Sequence, residues 1–273
     1  MKISKINLFI IIVLLIIFLL FEIFPIFWII TNSFKDYKDI AFYPPKFIYN
    51  PSLENYKSAI QRSNFLYNIR DSAIVSISSV LIAVLFGSMA AYGIARLKVG
   101  GTGLLLFIIS SRMLPIIVLI LPLYIVFTKL KLIDTYYSLI ISYTTFLLSF
   151  VIWQMISFLK EVPKEIEEAA IIDGCNYWQI FFRIILPISK PGLVAVAIFS
   201  FLGAWNDYLF AAILTGSKVQ TAPVAASLFI IDRFIPWGPM AAASTMTLLP
   251  AFILILIVQK QMVKGLAMGA VKG

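Results

Sequence analysis

The chain has 273 residues, of which 61% are hydrophobic and only 13% are charged, a share about half that of an ordinary soluble domain. This composition excludes a soluble globular protein and predicts an integral membrane protein. The basic residues behind the net charge of +9 do not cluster in one domain, so anionic lipid explains them better than nucleic acid does.

The composition also limits the chemistry of the chain. Histidine is absent and Cys175 is the single cysteine, which excludes an intramolecular disulfide framework. A zinc or haem site is not expected without histidine. We therefore predict no metal and no cofactor in this chain.

Six apolar segments are long enough to cross a membrane, since a span needs about 20 mostly apolar residues. They are residues 8–30, 72–95, 103–128, 135–159, 191–215 and 240–259. Their apolar residues are continuous rather than alternating, so the spans are predicted to be helices. The first is too long for a cleaved signal peptide and is interpreted as a retained anchor. The fold class predicted is an all-α membrane protein of six transmembrane helices, one domain over residues 1–273.

The connections between these segments differ in kind. Residues 31–71 form a long polar loop that we expect to fold against the membrane surface, whereas 96–102 and 129–134 are short turns. Residues 216–239 contain an apolar piece, 219–231, that is too short to span. We interpret that piece as re-entrant or as lying in a cavity mouth, and a surface loop is the alternative.

Orientation follows from the basic residues of the short loops. The turn after the second span carries Arg96 and Lys98 with no acid, and the C-terminal tail carries Lys260, Lys264 and Lys272 with no acid. Both termini are therefore predicted to be cytoplasmic.

The longest polar stretch between apolar runs, residues 160–190, is predicted to form two short helices. Pro163 suits the first turn of a helix. The helix dipole favours the acids that follow, Glu165, Glu167 and Glu168. Spacing of i, i+3 and i+4 predicts a flat apolar stripe made of Ile166, Ala169 and Ala170.

Gly174 can adopt the left-handed conformation that ends this first helix. Asn176 can cap a second helix, 177–186, that stops before Pro187. The loop could lie on lipid headgroups, but three glutamates would be repelled by an anionic surface. Docking on another protein is the preferred interpretation.

Two charged residues inside spans are candidate site residues, because a charge within a membrane is costly and usually faces a partner or a cavity. Asp207 lies among Trp205, Asn206 and Tyr208, which could stack on and hydrogen-bond a sugar, or Asp207 could make a structural hydrogen bond. Arg112 could line the same pathway, pair with Asp207, or extend to an interface.

Several motifs carry a family resemblance. The spacing of Glu168, Ala169, Ala170, Gly174, Ile184, Leu186 and Pro187 resembles the "EAA" signature of ABC importer permeases. Further matching stretches are SRMLP at 111–115, Pro122-Leu123-Tyr124, 133–137, 205–208 and the tail 264–273. Together they are similar to the carbohydrate-uptake permeases, specifically the smaller maltose-permease-type subunit, over nearly the whole chain. Cys175 stands where the family usually has a smaller residue.

The resemblance implies a type I importer permease fold with six helices and cytoplasmic termini. It implies that the loop docks on a cytoplasmic ATPase through Glu168, Ala169, Ala170, Asp173, Gly174, Leu186 and Pro187. It further implies that the tail, with Lys264, Gly265 and Gly269, reaches toward the ATPase dimer, although a frayed terminus is the alternative.

The partners implied are a second permease subunit, an ATPase dimer that binds ATP and Mg, an extracytoplasmic sugar-binding protein and membrane lipid. No phosphate-binding glycine loop occurs in this chain, so the ATPase is expected to be a separate polypeptide. A permease for a polyamine, phosphonate or amino acid is the first alternative, and an ion-coupled secondary transporter is the second. The absence of histidine and of clustered acids disfavours a membrane-embedded enzyme.

Overall fold

The computed structural model describes residues 5–229 and 235–270, and within these ranges the chain is helical with no strand. The elements before the polar loop are α1 (Lys5–Ser33), α2 (Tyr37–Ile40), α3 (Glu54–Ser63), α4 (Phe65–Ala95), α5 (Gly101–Ser111), α6 (Ile116–Lys129) and α7 (Tyr136–Glu161). Those that follow are α8 (Glu165–Ile172), α9 (Tyr177–Ile180), a π-helical turn (Phe181–Ile185), α10 (Leu186–Ile188), α11 (Lys190–Trp205), α12 (Leu209–Leu214), α13 (Ala222–Ser227) and α14 (Trp237–Ala270).

Four helices are individually long and apolar enough to cross a membrane: α1, α4, α7 and the part of α14 from Trp237 to Ile257. Two bent pairs pass the same test together, α5 with α6 and the segment Tyr177–Ile188 with α11. The described chain therefore has four candidate spans, or up to six if each bent pair is one span.

The straight spans predicted at 103–128 and 191–215 need correction. The first is broken between α5 and α6 by a bend of 91°. Pro115 stands at the start of α6 and disfavours helical geometry in the residue before it. The second ends at Trp205, where Asn206 to Tyr208 separate α11 from α12. The predicted re-entrant piece 219–231 contains the short helix α13, and its last two residues lie outside the described ranges.

The chain divides into two compact units, Met1–Tyr67 with Ala225–Leu249 and Asn68–Val224 with Pro250–Gly273. The core of the larger unit is built around α7, which packs against α5, α11 and α12. Leu139, Val151 and Met155 of α7 are among the residues fully buried in that core. The prediction of one permease domain over the whole chain stays a prediction.

One close helix approach in the larger unit depends on a glycine. A Cβ atom built on Gly87 of α4 would lie 2.7 Å from Cγ1 and 2.9 Å from Cβ of Val151 on α7. Those distances are shorter than ordinary carbon contacts, so α4 and α7 meet here only because the side chain is missing. Small residues allow such close packing between membrane helices.

In the smaller unit, the polar segment after α1 folds onto the end of that helix. The Asn55 side-chain amide donates to the backbone carbonyls of Ser33 at 3.0 Å and Lys35 at 2.8 Å. Lys35 is buried, with its ammonium 4.4 Å from the ring centre of Trp28. Burial lowers the pKa of Lys35, and the Asp39 carboxylate opposes that shift. These contacts give the predicted loop 31–71 a defined structure.

Candidate functional site

The first helix of the polar loop 160–190, α8, forms as its sequence predicts. It begins after Pro163 and carries three glutamates in its first turn, where the positive end of the dipole stabilises them. Glu165 and Glu168 are exposed, whereas Glu167 is buried. The helix therefore has an outer acidic edge and an inner face with a single carboxylate.

The apolar stripe predicted on α8 is wrong in part. Ala170 faces the core and is only 6% exposed, whereas Ala169 and Ile166 are exposed. Glu167 and Ala170, spaced i and i+3, make the buried face instead. The surface available to a partner is thus the Glu168–Ala169 side of the helix.

Gly174 ends α8 in the left-handed conformation, with φ of +84°. Its N–H donates to the Ile171 carbonyl at 3.0 Å, and the Cys175 N–H donates to the Ala170 carbonyl at 2.9 Å. This pair of bonds is the Schellman motif, which satisfies carbonyls that the helix end leaves free. Asp173 and Gly174 are both exposed at this corner.

The second helix starts with the predicted cap but does not run straight. The Asn176 carboxamide oxygen accepts from the Gln179 N–H at 2.9 Å, and the Gln179 side chain accepts from the Asn176 N–H at 2.8 Å. This reciprocal capping box begins α9. The prediction of one helix over 177–186 is wrong, because α9 has only four residues before the chain widens into the π-helical turn.

Pro187 accounts for that widening. A proline cannot donate to the carbonyl four residues before it, and its ring collides with that carbonyl in a regular α-helix. In the π-helical turn the Leu186 N–H donates instead to the carbonyl of Phe181, five residues back. The chain passes through Pro187 into α10 rather than stopping before it, and Pro187 is exposed while Leu186 is half-buried.

The tip of the loop exposes a cluster of large apolar side chains, which we call the loop patch. The exposed fractions are 49% for Ile171, 86% for Ile172, 55% for Tyr177, 62% for Trp178 and 44% for Phe182. Trp178 and Phe182 stack with ring centres 6.3 Å apart. Several exposed large apolar side chains on one loop, beside exposed acids, are typical of an interaction site.

A buried ion pair that the sequence analysis did not identify lies under the loop. The Arg96 Nε and Glu167 Oε1 atoms are 2.7 Å apart, and the two side chains are only 7% and 11% exposed. The contact is one of charge, without the alignment of a hydrogen bond. The Tyr92 hydroxyl donates to the other carboxylate oxygen at 3.1 Å. An inward-facing glutamate needs a basic partner, and this requirement is the signal that could have pointed to Arg96.

The second candidate site lies beside the bend between α5 and α6. A cleft of about 520 Å³ opens there, lined by mostly apolar residues together with Ser111, Arg112, Tyr143, Thr145, Ser149 and Asp207. The Arg112 guanidinium lies 5.0 Å from the ring centre of Phe150 and 5.8 Å from that of Trp153, which are cation–π distances. Arg112 itself is exposed.

Asp207 makes structural hydrogen bonds, one of the alternatives left open by the sequence, and its partners do not include Arg112. Its Oδ1 atom accepts from the Tyr143 hydroxyl at 2.9 Å and from the N–H groups of Phe210 at 3.1 Å and Ala211 at 3.4 Å. It therefore caps α12 and joins it to α7. No ion pair between Arg112 and Asp207 forms among the described residues, although both line the cleft.

The neighbours of Asp207 do not share one surface. Trp205 is only 2% exposed and stacks on Phe201 with ring centres 5.4 Å apart. Asn206 and Tyr208 are exposed, and neither belongs to the lining of the cleft. Of the four residues 205–208, the structure places only Asp207 with Arg112.

A segment after α12 is fixed by aspartates that the sequence analysis did not single out. Oδ1 of Asp134 accepts from the N–H of Gly216 at 2.8 Å and of Val219 at 3.1 Å, and Oδ2 accepts from that of Lys218 at 3.1 Å. Burial alone would raise the pKa of Asp134, but these backbone donors outweigh it and lower that pKa.

A second aspartate, Asp71, continues the same arrangement. It accepts from the Tyr136 hydroxyl at 2.7 Å and from the Gln220 N–H at 3.3 Å, and it pairs with Arg70 at 3.0 Å. Together, Asp134 and Asp71 anchor residues 216–220 to α4 and to the start of α7. The chain there is an ordered surface segment.

The remaining candidates lie in the tail. Lys264, Gly265 and Gly269 fall within the backbone of α14, which continues to Ala270. The side chain of Lys264 lies outside the described part, and contact of the tail with an ATPase stays a prediction. Among the described residues, no group of three His, Cys, Asp or Glu side chains is placed to hold a metal ion.

The family model described as "Binding-protein-dependent transport system inner membrane component" matches residues 83–266. The chain belongs to this family. The matched region includes the loop, the buried ion pair and the cleft. The resemblance to importer permeases that the motifs indicate is thereby confirmed, and the chain is a multi-pass inner-membrane protein of a transport system rather than an enzyme.

Relatives align with this permease over most of their length. The trehalose/maltose transport system permease protein MalG of Thermococcus litoralis is 32% identical over 252 residues, 90% of each chain. The trehalose transport system permease protein SugB of Mycobacterium tuberculosis is 35% identical over 226 residues, which is 81% of this chain and 82% of that one.

The fold is also similar to that of a solved permease. A chain in the crystal structure of a bacterial ABC transporter involved in the import of the acidic polysaccharide alginate superposes with a TM-score of 0.79. The alignment covers 95% of this chain and 99% of that chain at 21% identity. At that identity the likeness establishes the permease fold alone.

Proposed function

We propose that the chain is a permease subunit of a binding-protein-dependent ABC importer that moves a sugar or oligosaccharide across the plasma membrane. The observation that carries this proposal is the near full-length match to permeases named for trehalose and maltose transport. In this proposal a binding protein delivers the sugar outside. ATP and Mg bind a separate ATPase dimer inside, and this chain performs no covalent chemistry.

The loop patch supports the docking of that ATPase. Five exposed apolar side chains are concentrated on one loop, next to the exposed Glu168 and Asp173. A membrane surface would repel these acids, whereas a protein groove with apolar and basic groups would match both features. The Schellman corner at Gly174 and the capping box at Asn176 keep the loop rigid, which lowers the entropy cost of docking.

Six spans follow if α5 with α6 crosses the membrane once and α11 with α12 forms the fifth crossing, which leaves Tyr177–Ile188 in the loop. An even number of spans puts both termini on one side, and the basic turn with Arg96 and Lys98 lies on that same side. The excess of basic residues in cytoplasmic loops makes that side the cytoplasm. The loop patch then faces the ATPase, and the segment anchored by Asp134 faces the binding protein.

The cleft beside the bend is the proposed contribution of this chain to the sugar pathway. Broken helices are typical of substrate sites in transporters, because they bring backbone and polar groups into the membrane. Ser111, Ser149 and Thr145 supply hydroxyl groups there, Phe150 supplies an aromatic face, and Arg112 supplies donors. A second permease subunit would complete the cavity.

Docking is tested by co-purification with the cognate ATPase. We expect Ile172→Arg to abolish retention of the ATPase, because it places a charge on the most exposed member of the loop patch. The matched control is Ile48→Arg, which changes a side chain that is 94% exposed and lies in the loop proposed to be extracytoplasmic. Equal retention by both variants would contradict docking through the loop.

The substrate class is tested with proteoliposomes that contain both permeases, the ATPase and the binding protein. Uptake of disaccharides should be ATP-dependent, whereas polyamines, phosphonates and amino acids should not accumulate. ATP-dependent uptake of one of these other solutes, with no sugar uptake, would support the alternative importer. Uptake driven by an ion gradient without ATP would support a secondary transporter.

Topology is tested with single cysteines in a Cys175→Ser background. A cysteine at Ile48 should react with an impermeant thiol reagent in intact cells, and one at Ile172 should react only after the membrane is opened. Both native side chains are highly exposed, so accessibility within the protein does not limit labelling. The reverse pattern would place the loop patch outside and remove the basis for an ATPase partner.

A further inference from the structure

The buried ion pair between Arg96 and Glu167 lies where the loop meets the ends of two long helices. Arg96 follows directly after α4, and Glu167 is in the first turn of α8. Of the three glutamates in that turn, Glu165 and Glu168 are exposed. The helix dipole does not explain why Glu167 is buried, because Glu165 and Glu168 would interact with the dipole equally well. The position of Glu167 on the inward face of α8 is what brings it to Arg96.

The pair joins more than two segments. Besides its contact with Glu167, the Arg96 guanidinium donates to the carbonyl of Val162, the residue that follows α7. The Tyr92 hydroxyl donates to Glu167, and the Tyr92 ring lies 5.4 Å from that of Phe181 in the π-helical turn. One cluster thus connects α4, the end of α7, α8 and the second half of the loop.

Stability alone does not account for such a cluster. A buried ion pair usually contributes no more to stability than apolar side chains of similar volume, because both charges lose their hydration. What the charges add is a linkage between segments, since the guanidinium donates to the Val162 carbonyl while its Nε atom stays 2.7 Å from the Glu167 carboxylate. An apolar replacement would fill the same space without fixing the orientation of the loop relative to α4.

We infer that Arg96 and Glu167 are positioning residues that transmit movement of the loop to α4. This inference rests on the proposed function, in which the loop docks on an ATPase. When the ATPase displaces α8, Glu167 moves with it, and the guanidinium makes the end of α4 follow. Without the pair, the loop still docks, but its movement is absorbed locally and ATP hydrolysis is no longer matched by transport.

The test measures transport and ATP hydrolysis together in reconstituted transporter. Arg96→Gln and Glu167→Gln should each lower the number of solute molecules moved per ATP by about two- to thirtyfold, the range of coupling changes produced by single residues. The ATPase should still co-purify with both variants. The matched control is Lys98→Gln, an exposed basic residue two positions from Arg96 that should leave the ratio unchanged.

Two further variants separate positioning from mere packing. Arg96→Lys keeps the charge but loses the planar fork, so it should give an intermediate ratio. The apolar triple variant Arg96→Met, Glu167→Leu and Tyr92→Phe removes all three polar side chains together and leaves only the Val162 carbonyl without its donor, so it should fold with thermal stability close to that of the wild type. We expect it to bind the ATPase yet remain as uncoupled as Arg96→Gln.

The outcomes are distinguishable. A triple variant with a wild-type ratio would overturn the inference, because packing would then suffice. Transport and hydrolysis that fall by the same factor in the single variants, with the ratio unchanged, would overturn it as well. If the wild-type chain retains no ATPase at all, the proposed function fails first and the inference falls with it. Single variants that do not fold leave the decision to Arg96→Lys and the triple variant.

Discussion

Removal of the Asp207 carboxylate tests whether this residue is a structural cap. In Asp207→Ala, the Tyr143 hydroxyl loses its acceptor, and the N–H groups of Phe210 and Ala211 lose their cap. Tyr143 is only 3% exposed, so water does not readily replace the carboxylate. The variant should therefore be destabilised.

The magnitude follows from these three bonds. A buried donor left without a partner costs about 1–3 kcal/mol. Loss of a helix cap costs about 1 kcal/mol. Asp207→Ala should therefore lower the free energy of unfolding by about 2–4 kcal/mol. Asp207→Asn keeps an acceptor oxygen and loses only the strengthening by charge, so its cost should be about 1 kcal/mol.

The assay is thermal unfolding in detergent, combined with a double-mutant cycle. A change of 1 kcal/mol shifts the Tm by about 2–4 °C in chains of roughly this size, so Asp207→Ala should lower the Tm by about 4–16 °C. In a Tyr143→Phe background no hydroxyl is left unpaired, and the cost of Asp207→Ala should fall to the cap alone. The two substitutions should therefore be non-additive by about 1–3 kcal/mol.

Two results would refute this reasoning. One is a Tm for Asp207→Ala equal to that of the wild type, and the other is strict additivity with Tyr143→Phe. Sugar uptake then separates structure from transport. An Asp207→Asn protein with near wild-type Tm and reduced uptake would show that the charge contributes to the pathway as well.

Three further predictions concern the loop, a surface segment and a helix contact. Gly174→Ala should cost about 1–2 kcal/mol of stability at its φ of +84° and should reduce ATPase co-purification. Gly174→Asn should retain binding, because Asn tolerates this backbone conformation. Equal loss of co-purification in both variants would contradict a conformational role for Gly174. The pKa of Asp134 is lowered in the folded protein, so its hydrogen bonds protect the backbone amides after α12 from exchange at pH values above its ordinary pKa of 3.8. This protection is lost as the pH falls through the folded pKa. Asp134→Ala should therefore speed hydrogen exchange of those amides at neutral pH, and unchanged exchange would disprove the anchor. Gly87→Ala should lower the Tm because its Cβ would lie 2.7 Å from Val151, at a cost of about 1–3 kcal/mol, whereas Gly93→Ala on the same helix has its nearest atom at 3.8 Å and should be neutral or stabilising.

Local signals in the sequence were sufficient for the two helix ends at the tip of the loop. Gly174 and Asn176 specify their helix ends through bonds to residues at most five positions away, so the pattern alone predicts them. Five of the six apolar segments likewise overlap the four long helices and the bent pair of α5 and α6, whereas the segment 191–215 covers only α11 of the second bent pair. Where neighbours along the chain decide the conformation, the sequence analysis and the structure agree.

Helix breaks were harder to predict because proline does not always cause one. Pro122 and Pro250 lie inside continuous helices, whereas Pro115 stands at a bend of 91°. The difference depends on which neighbouring groups satisfy the freed carbonyls, and that is set by tertiary structure. Arg112 beside the bend was recognised as unusual, but the cleft that explains its position requires helices distant in sequence.

The partners of the charged residues were also beyond the sequence. Arg112 and Asp207 were the obvious opposite charges within spans, yet Asp207 bonds to Tyr143 and to backbone N–H groups instead. Glu167 pairs with Arg96, which lies 71 positions earlier in the chain. Its local sequence does not distinguish it from Glu165 and Glu168; only the face of α8 on which it lies does. Which face is buried could be assigned only once Ala170 was known to face inward.

Because of the π-helical turn at Phe181–Ile185, the direction in which the loop faces depends on the number of residues in that turn. A π turn holds about one residue more than an α turn, and each residue of an α-helix advances the azimuth by about 100°. The turn therefore offsets the azimuth of Trp178 and its neighbours relative to α11. Deletion of one residue here, together with replacement of Pro187, would allow a regular helix and rotate the aromatic side of the loop by about a quarter of a revolution. Such a change would keep the exposed aromatic side chains of the loop and still turn them away from their present direction.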